Sequence, residues 1–178
     1  MRKSKRSSKQ LLWFWMDKIY KKSERYDIGL DIACGNMDMC KYFRTKQYIG
    51  IDIDKQRIKR GIQKHQNAKG IVKSIEQMDE NDRGDFVTCL QTIGINKYFN
   101  PENTMYCIEK LVIATNRGGI LIFNVGPRSS IYHNEIMSLL ENSFKELSHK
   151  RYGALNKVHP WLISYFLAYL MYLKPSMS

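Results

Sequence analysis

The sequence predicts a three-layer α/β sandwich around a mostly parallel β-sheet. Three observations carry that expectation. From Tyr26 onward, short β-rich runs alternate with helix-like stretches, the pattern of parallel strands joined by covering helices. Pro101 stands where a helix opens, a position at which its missing N–H costs nothing. The 178 residues suit one domain, with no internal repeat and no low-complexity linker to divide them.

A helix is expected over residues 8–22, where Leu11, Leu12, Trp13, Phe14, Trp15, Met16, Ile19 and Tyr20 cluster with lysines outside them. Strands are expected at 28–32, 48–51, 70–73, 86–90 and 120–124, with a sixth over 144–150. Helices are expected between them at 38–43, 55–64, 101–114 and 133–142. Gly118-Gly119 reads as the stop of the 101–114 helix and the start of the next strand. Residues 161–173 form an apolar run interrupted only by Ser164. It is shorter than the ~18–20 residues that cross a bilayer. It reads as a C-terminal helix, packed in the core, at a homodimer face or on a membrane surface. The chain then divides into a basic aromatic N-terminal helix (1–25), a core (26–153) and an apolar C-terminal helix (154–178).

The net charge of +12 sits at the ends. Residues 1–25 carry nine Lys/Arg against Asp17 and Glu24, and residues 145–178 carry five against Glu146. Basic ends on a nearly neutral core suggest attachment to something anionic. The apolar stretch 11–16 stops at Asp17, short of the ~7–15 residues of a secretory h-region. A cytoplasmic protein is expected, soluble or peripheral to the inner face of a membrane. Cys34, Cys40, Cys89 and Cys107 form no CxxC pair and no His-containing ligand spacing. They read as free thiols in a reducing compartment rather than a bridge or a metal site.

The chemistry gathers where the first strand ends, at Leu30-Asp31-Ile32-Ala33-Cys34-Gly35-Asn36. A small residue followed by Gly before a helix lets the backbone approach a ligand closely. A helix N-terminus beyond it favours negative charge. The next strand ends in Tyr48-Ile49-Gly50-Ile51-Asp52. An acidic residue at a strand end, ~20 residues past a glycine turn, accepts hydrogen bonds from ribose hydroxyls. A dinucleotide site asks for GxGxxG, and only Gly35 is present. Asp31 would repel a pyrophosphate, but it suits a ligand with an amino group and a sulfonium charge. Those features select S-adenosylmethionine over NAD.

Residues 30–36, 48–54, 84–91 and 118–126 resemble, in order and spacing, the successive motifs of class I S-adenosylmethionine-dependent methyltransferases. The resemblance covers residues 26–150 and implies a Rossmann-like fold with roles at matching positions. Asp31 and the turn Ala33-Cys34-Gly35 would face the methionine end of the cofactor. Asp52 would hold the ribose hydroxyls, with Ile53 against the adenine. Lys73-Ser74-Ile75-Glu76 corresponds to the segment that reads the adenine edge. An acidic residue is common where Ser74 stands, so the Ser74 hydroxyl or backbone N–H groups would substitute. Gln91, in Leu90-Gln91-Thr92, would line the cofactor near the transferred methyl. Met37 occupies a position that is often glycine, and the family's last antiparallel edge strand has no candidate after Lys150. LDIACGN followed by YIGIDID is similar to small bacterial methyltransferases of surface-glycan and lipid-linked sugar pathways.

The acceptor is read from the segment after the fourth strand. Amine-directed enzymes often carry an Asn/Asp-Pro-Pro-aromatic turn there, whereas this chain has Gln91-Thr92-Ile93-Gly94, which favours an oxygen or carbon acceptor. His133, in the loop after the fifth strand, is the candidate base for a hydroxyl. Positioning alone supplies much of the acceleration when the leaving group is a sulfonium. The expected partner is a small-molecule or glycan acceptor, met at an anionic membrane. RNA gripped by the basic ends is the less favoured acceptor. A non-catalytic interaction module on the same fold is a third reading.

Overall fold

The computed structural model describes residues 20–145, 147, 149–155 and 163–170, the last two stretches as strand backbone. Seven strands form one sheet: β1 (Ile28–Ile32), β2 (Gln47–Asp52), β3 (Ala68–Val72), β4 (Gly84–Cys89), β5 (Thr115–Val125), β6 (His149–Leu155) and β7 (Ile163–Leu170). Among the described residues, the full α-helices are α1 (Lys55–Lys64), α2 (Thr104–Ile113) and α3 (His133–Ser143). The strand order is β3-β2-β1-β4-β5-β7-β6. β1 to β5 pair in parallel, and β7 runs antiparallel between β5 and β6. This is the Rossmann-like, mostly parallel sandwich that the alternating pattern predicts. The order reverses between β1 and β4, and at such a switch point the strand ends leave a crevice for a ligand.

Local chemistry starts each helix. The Asp54 carboxylate accepts hydrogen bonds from the N–H groups of Gln56 and Arg57, which opens α1 two residues after β2. The Asn100 side chain accepts from the N–H of Glu102, with Pro101 at the first position of the 3-10 turn that leads into α2. Thr104, Cys107, Ile108 and Leu111 are the buried face of α2, at helical spacing.

Side chains alternate across the strands, so the sheet has two interior faces. On one, Leu30, Ile32, Ile51, Val87, Leu121 and Phe123 form a core with Ile108 and Leu111 of α2 and Ile136 and Leu140 of α3. Each such side chain contributes about 1.5–3 kcal/mol by burial. On the other, Phe86, Ile120 and Ile122 pack with Tyr20, and Tyr48 packs with Met37 and Ile58. Phe43 joins these two groups, its ring centroid 4.9 Å from Tyr20, 4.9 Å from Tyr48 and 5.5 Å from Phe86.

Several expectations are corrected. The helix at 38–43 is only a 3-10 turn, Cys40–Tyr42, bounded by Met37 at φ +57° before it and by extended Phe43 after it. A helix dipole therefore does not stand behind the glycine turn. Gly118-Gly119 does not stop α2, which ends at Ile113; it lies inside β5. There the pairing with β4 jumps from Gly84↔Thr115 to Phe86↔Ile120, and Gly118 takes φ +82° in the bulge. The sixth strand is His149–Leu155 rather than 144–150, and Phe144 instead caps α3.

The largest correction concerns the C-terminal helix over 154–178. Residues Ile163–Leu170 are a strand, and this strand supplies the antiparallel element that seemed to be missing. It is not at the edge, since β6 lies outside it. A continuous apolar run has no period to separate a helix from a strand covered on both faces, and Ile, Tyr and Phe favour the strand. The helix expected at 8–22 lies outside the described residues except at its end, where Lys21–Arg25 form a 3-10 turn. Trp13, Trp15 and the lysines up to Lys18 lie outside them too. Among the described residues, no helix is long and apolar enough to cross a membrane.

Candidate cofactor and acceptor site

The chain leaves β1 through a turn in which Ala33, Gly35 and Met37 take φ of 58°, 58° and 57°. Among the described residues, the non-glycine positions with positive φ are Ala33, Met37 and Gln91, all in the loops that follow β1 and β4. Backbone strain is thus concentrated where those two adjacent strands end, a common property of binding sites.

Hydrogen bonds hold the turn in place. The Cys34 N–H donates to the Ile51 carbonyl at 3.0 Å, and the Gly35 N–H donates to Asp52 Oδ2 at 2.8 Å. Asp52 Oδ1 accepts the N–H of Asp54 at 2.9 Å, so one carboxylate ties the glycine turn to the start of α1. Each of its oxygens keeps a further lone pair for a ligand. α1 pins the same loop from outside, with Arg60 Nε donating to Asn36 Oδ1 at 3.1 Å and Lys64 Nζ to Asp38 Oδ1 at 2.7 Å. A Cβ built on Gly35 would meet nothing nearer than Arg57 Nη1 at 3.9 Å, which leaves room for a ligand beside the turn.

Met37 explains how the turn tolerates a large residue where glycine is common. Its side chain is fully buried, and three glycines make the space for it. Added Cβ atoms on Gly50 of β2, Gly61 of α1 and Gly70 of β3 would come within 3.1, 2.6 and 2.8 Å of Met37 side-chain atoms. The bulk has moved from the helix and strands into the loop.

Asp31 is the most unusual group in the site. It is 2% exposed, and its carboxylate accepts hydrogen bonds from Tyr48 Oη at 2.7 Å and Thr88 Oγ1 at 2.8 Å. Burial raises its pKa to about 6, the two hydroxyls oppose that rise, and the nearby Asp52 charge adds to it. Cys34 is half-buried, and burial followed by the Asp31 and Asp52 charges pushes its thiol up, so it is not a thiolate nucleophile at neutral pH. Sequence reasoning missed Tyr48 and Thr88. The available signal was polar side chains at strand positions that share a face with Asp31.

At the expected adenine end, Ile53 is 73% exposed immediately after Asp52. Ile75 packs into the main core instead of facing outward. The Ser74 N–H donates to Gln77 Oε1 at 3.1 Å and the Ser74 side chain accepts the Gln77 N–H in return, a capping box that engages both groups expected to replace an acidic side chain there. Lys73 braces this loop, with Nζ 2.6 Å from Asp82 and 3.1 Å from Asp79.

Beyond β4, the exposed Gln91 is held in its left-handed conformation by Asn124 of β5, whose Oδ1 accepts the Gln91 N–H at 2.7 Å. Asn124 is buried and is another residue that the sequence did not flag. The loops after β4 and β5 are locked together. The Gly126 N–H donates to the Ile93 carbonyl at 2.8 Å, and the Arg128 guanidinium donates to the carbonyls of Asn96 and Phe99. His133, half-buried, begins α3 after the 3-10 turn Pro127–Tyr132.

The donor set fits S-adenosylmethionine. It combines a buried carboxylate suited to a cationic group, a second carboxylate with spare lone pairs, open space beside Gly35 and an exposed apolar Ile53. A family model described as a methyltransferase domain matches residues 30–123. No curated protein sequence matches significantly. Among solved structures, the N-methyltransferase NodS from Bradyrhizobium japonicum WM9, in complex with S-adenosyl-l-homocysteine, superposes with TM-score 0.68 at 14% identity, covering 96% of this chain and 89% of that one. An rRNA methylase from Streptococcus thermophilus gives 0.65 at 18%, covering 96% and 98%. Magnesium protoporphyrin IX methyltransferase (ChlM) from Synechocystis PCC 6803, with bound S-adenosylmethionine, gives 0.61 at 15%, covering 91% and 77%. At these identities the superpositions speak for the fold, while the match over residues 30–123 spans more than half of the sequence. The chain belongs to the methyltransferase-domain family and is an S-adenosylmethionine-dependent methyltransferase of the class I fold.

Proposed function

We propose that this enzyme methylates an oxygen of a small molecule or surface-glycan sugar. The segment after β4 carries this reading. It is Gln91-Thr92-Ile93-Gly94, without the Pro-Pro turn whose carbonyl grips an acceptor amine, and Asn124 holds Gln91 in a left-handed conformation. The structural neighbours are an N-methyltransferase, an rRNA methylase and a porphyrin methyltransferase, so the acceptor is argued from this loop and not from the fold.

When bound, the cofactor supplies an electrophilic methyl group on an excellent leaving group. On this reading, Asp31 sets a negative charge under the amino-acid end, together with the turn Ala33-Cys34-Gly35. Asp52 accepts the ribose hydroxyls, Ile53 covers the adenine, and the Ser74-Ile75 segment reads its edge. Gln91 borders the methyl. The cross-braced loops after β4 and β5 hold the acceptor oxygen in line, so catalysis is chiefly positioning. His133 is the candidate base for a hydroxyl acceptor. The basic ends bring the enzyme to an anionic membrane, where a lipid-linked sugar is presented.

Calorimetry with S-adenosylmethionine, followed by transfer of labelled methyl to hydroxyl-bearing sugars and sugar phosphates, tests the reading. Binding that is lost in Asp52→Ala, with label recovered as a methyl ether, is the expected result. No binding at about millimolar cofactor, on the order of the weakest useful KM, overturns the site assignment. Label on nitrogen overturns the oxygen assignment. Binding to RNA with a steep salt slope, and none to anionic liposomes, overturns the membrane and glycan reading in favour of RNA.

A further inference from the structure

The Asp31 carboxylate has no explanation within the protein alone. β1 places it opposite Gly50 of β2 and Thr88 of β4, in the interior of the sheet. Structure alone would be served as well by Asn, which also satisfies two hydroxyl groups without burying a charge. The titratable groups around it are Tyr20 ahead of β1, Cys34 and Cys40 in the loop, Tyr48 and Asp52 of β2, and Cys89 of β4. Burial raises both phenols and all three thiols, so they stay neutral at neutral pH. Asp52 is of like sign, and no cation stands among these groups. The Tyr20 ring is also buried close to the carboxylate.

We infer that Tyr48 and Thr88 are positioning residues for the cofactor: their hydroxyls orient Asp31 as a fixed buried negative charge beneath the glycine turn, matched to the cationic amino-acid end of the ligand. The inference rests on the cofactor role given to Asp31 above. Both hydroxyls donate to the carboxylate at 2.7–2.8 Å, one to each oxygen, so the pair fixes the plane of the group as well as its charge. Burial opposes that charge, with the pKa raised to about 6, and the two donors counter it. Removing one donor therefore moves the loss of the charge to higher pH.

The test is cofactor affinity, measured by calorimetry on the full chain from about pH 5.5 to about pH 8.5, as the ratio of each variant to wild type. Titration of the ligand itself cancels in this ratio. If Tyr48→Phe raises the Asp31 pKa by about one unit, the variant binds about fivefold more weakly near pH 6 and almost equally near pH 8. Thr88→Val, a second variant in case the first folds poorly, follows the same trend. Asp31→Asn binds at least about tenfold more weakly near pH 8, yet the free protein melts at a higher temperature than wild type. A Tyr48→Phe ratio that is flat with pH overturns the inference, as does an Asp31→Asn protein that melts lower and binds normally when folded. Wild type that binds no cofactor at any pH overturns the cofactor reading, and this inference with it. Wild type that binds, with flat ratios, overturns the inference alone.

Discussion

The sheet face beneath α2 and α3 is lined by Leu30, Ile32, Val87, Leu121 and Phe123, whereas the face beneath α1 sets Asp31, Tyr48, Thr88 and Asn124 among its aromatic rings. The same strands build both. Leu30 and Asp31 are neighbours in sequence and lie in different media. On the first face the buried strand side chains are apolar and help hold the fold. On the second, buried polar atoms and a raised carboxylate pKa oppose folding and are retained beside the strained turns at Ala33 and Gln91. On the proposed reading the second face gives up some stability for binding, the division expected where a site is held against the preference of its own residues.

Substitutions on the two faces should therefore separate stability from affinity. Leu111→Ala on α2, wholly buried in the apolar core, is expected to cost about 2–5 kcal/mol in denaturant unfolding, with cofactor affinity per folded molecule unchanged. Reduced affinity at equal folded fraction would break the division. Asp31→Asn should do the reverse. A carboxylate whose folded pKa is raised from 3.8 to about 6 contributes stability that is present below about pH 4 and lost as pH rises through 6. The melting-temperature advantage of Asn should thus be absent near pH 4 and widen to the equivalent of about 3 kcal/mol by pH 7–8.

Asp52→Ala removes the acceptor for the Gly35 and Asp54 N–H groups and the proposed ribose contact together. We expect cofactor Kd to rise by about a hundredfold, from loss of charged hydrogen bonds of about 1.5–3 kcal/mol each, measurable by calorimetry. Gly61→Ala sharpens the comparison at the α1 side. Gly to Ala inside a helix normally stabilises by up to about 1 kcal/mol. Here the new Cβ meets Met37 Cγ at 2.6 Å, and we expect a loss of about 1–3 kcal/mol that reverses sign in a Met37→Gly background. The smallest effect belongs to His133→Ala. If positioning dominates, kcat falls less than about tenfold, and a fall beyond the ~100-fold typical of a lost general base would assign it that role.

The sequence by itself determined what depends on nearby residues. The alternation of strands and helices, the limits of α1 at Lys55–Lys64, the glycine turn after β1 and the cofactor class all follow from short-range capping, periodicity and the sign of Asp31. Tertiary structure decided the rest. Residues Ile163–Leu170 are a strand that pairs with β5 on one side and β6 on the other, and an aperiodic apolar run does not announce such partners. Thr88 reaches Asp31 across 57 positions and Asn124 reaches Gln91 across 33, contacts created only by strand register. Met37 is tolerated because Gly50, Gly61 and Gly70 come from three different elements to surround it. Such partners are chosen by which strands become neighbours, a property of the whole sheet that no local stretch of sequence contains.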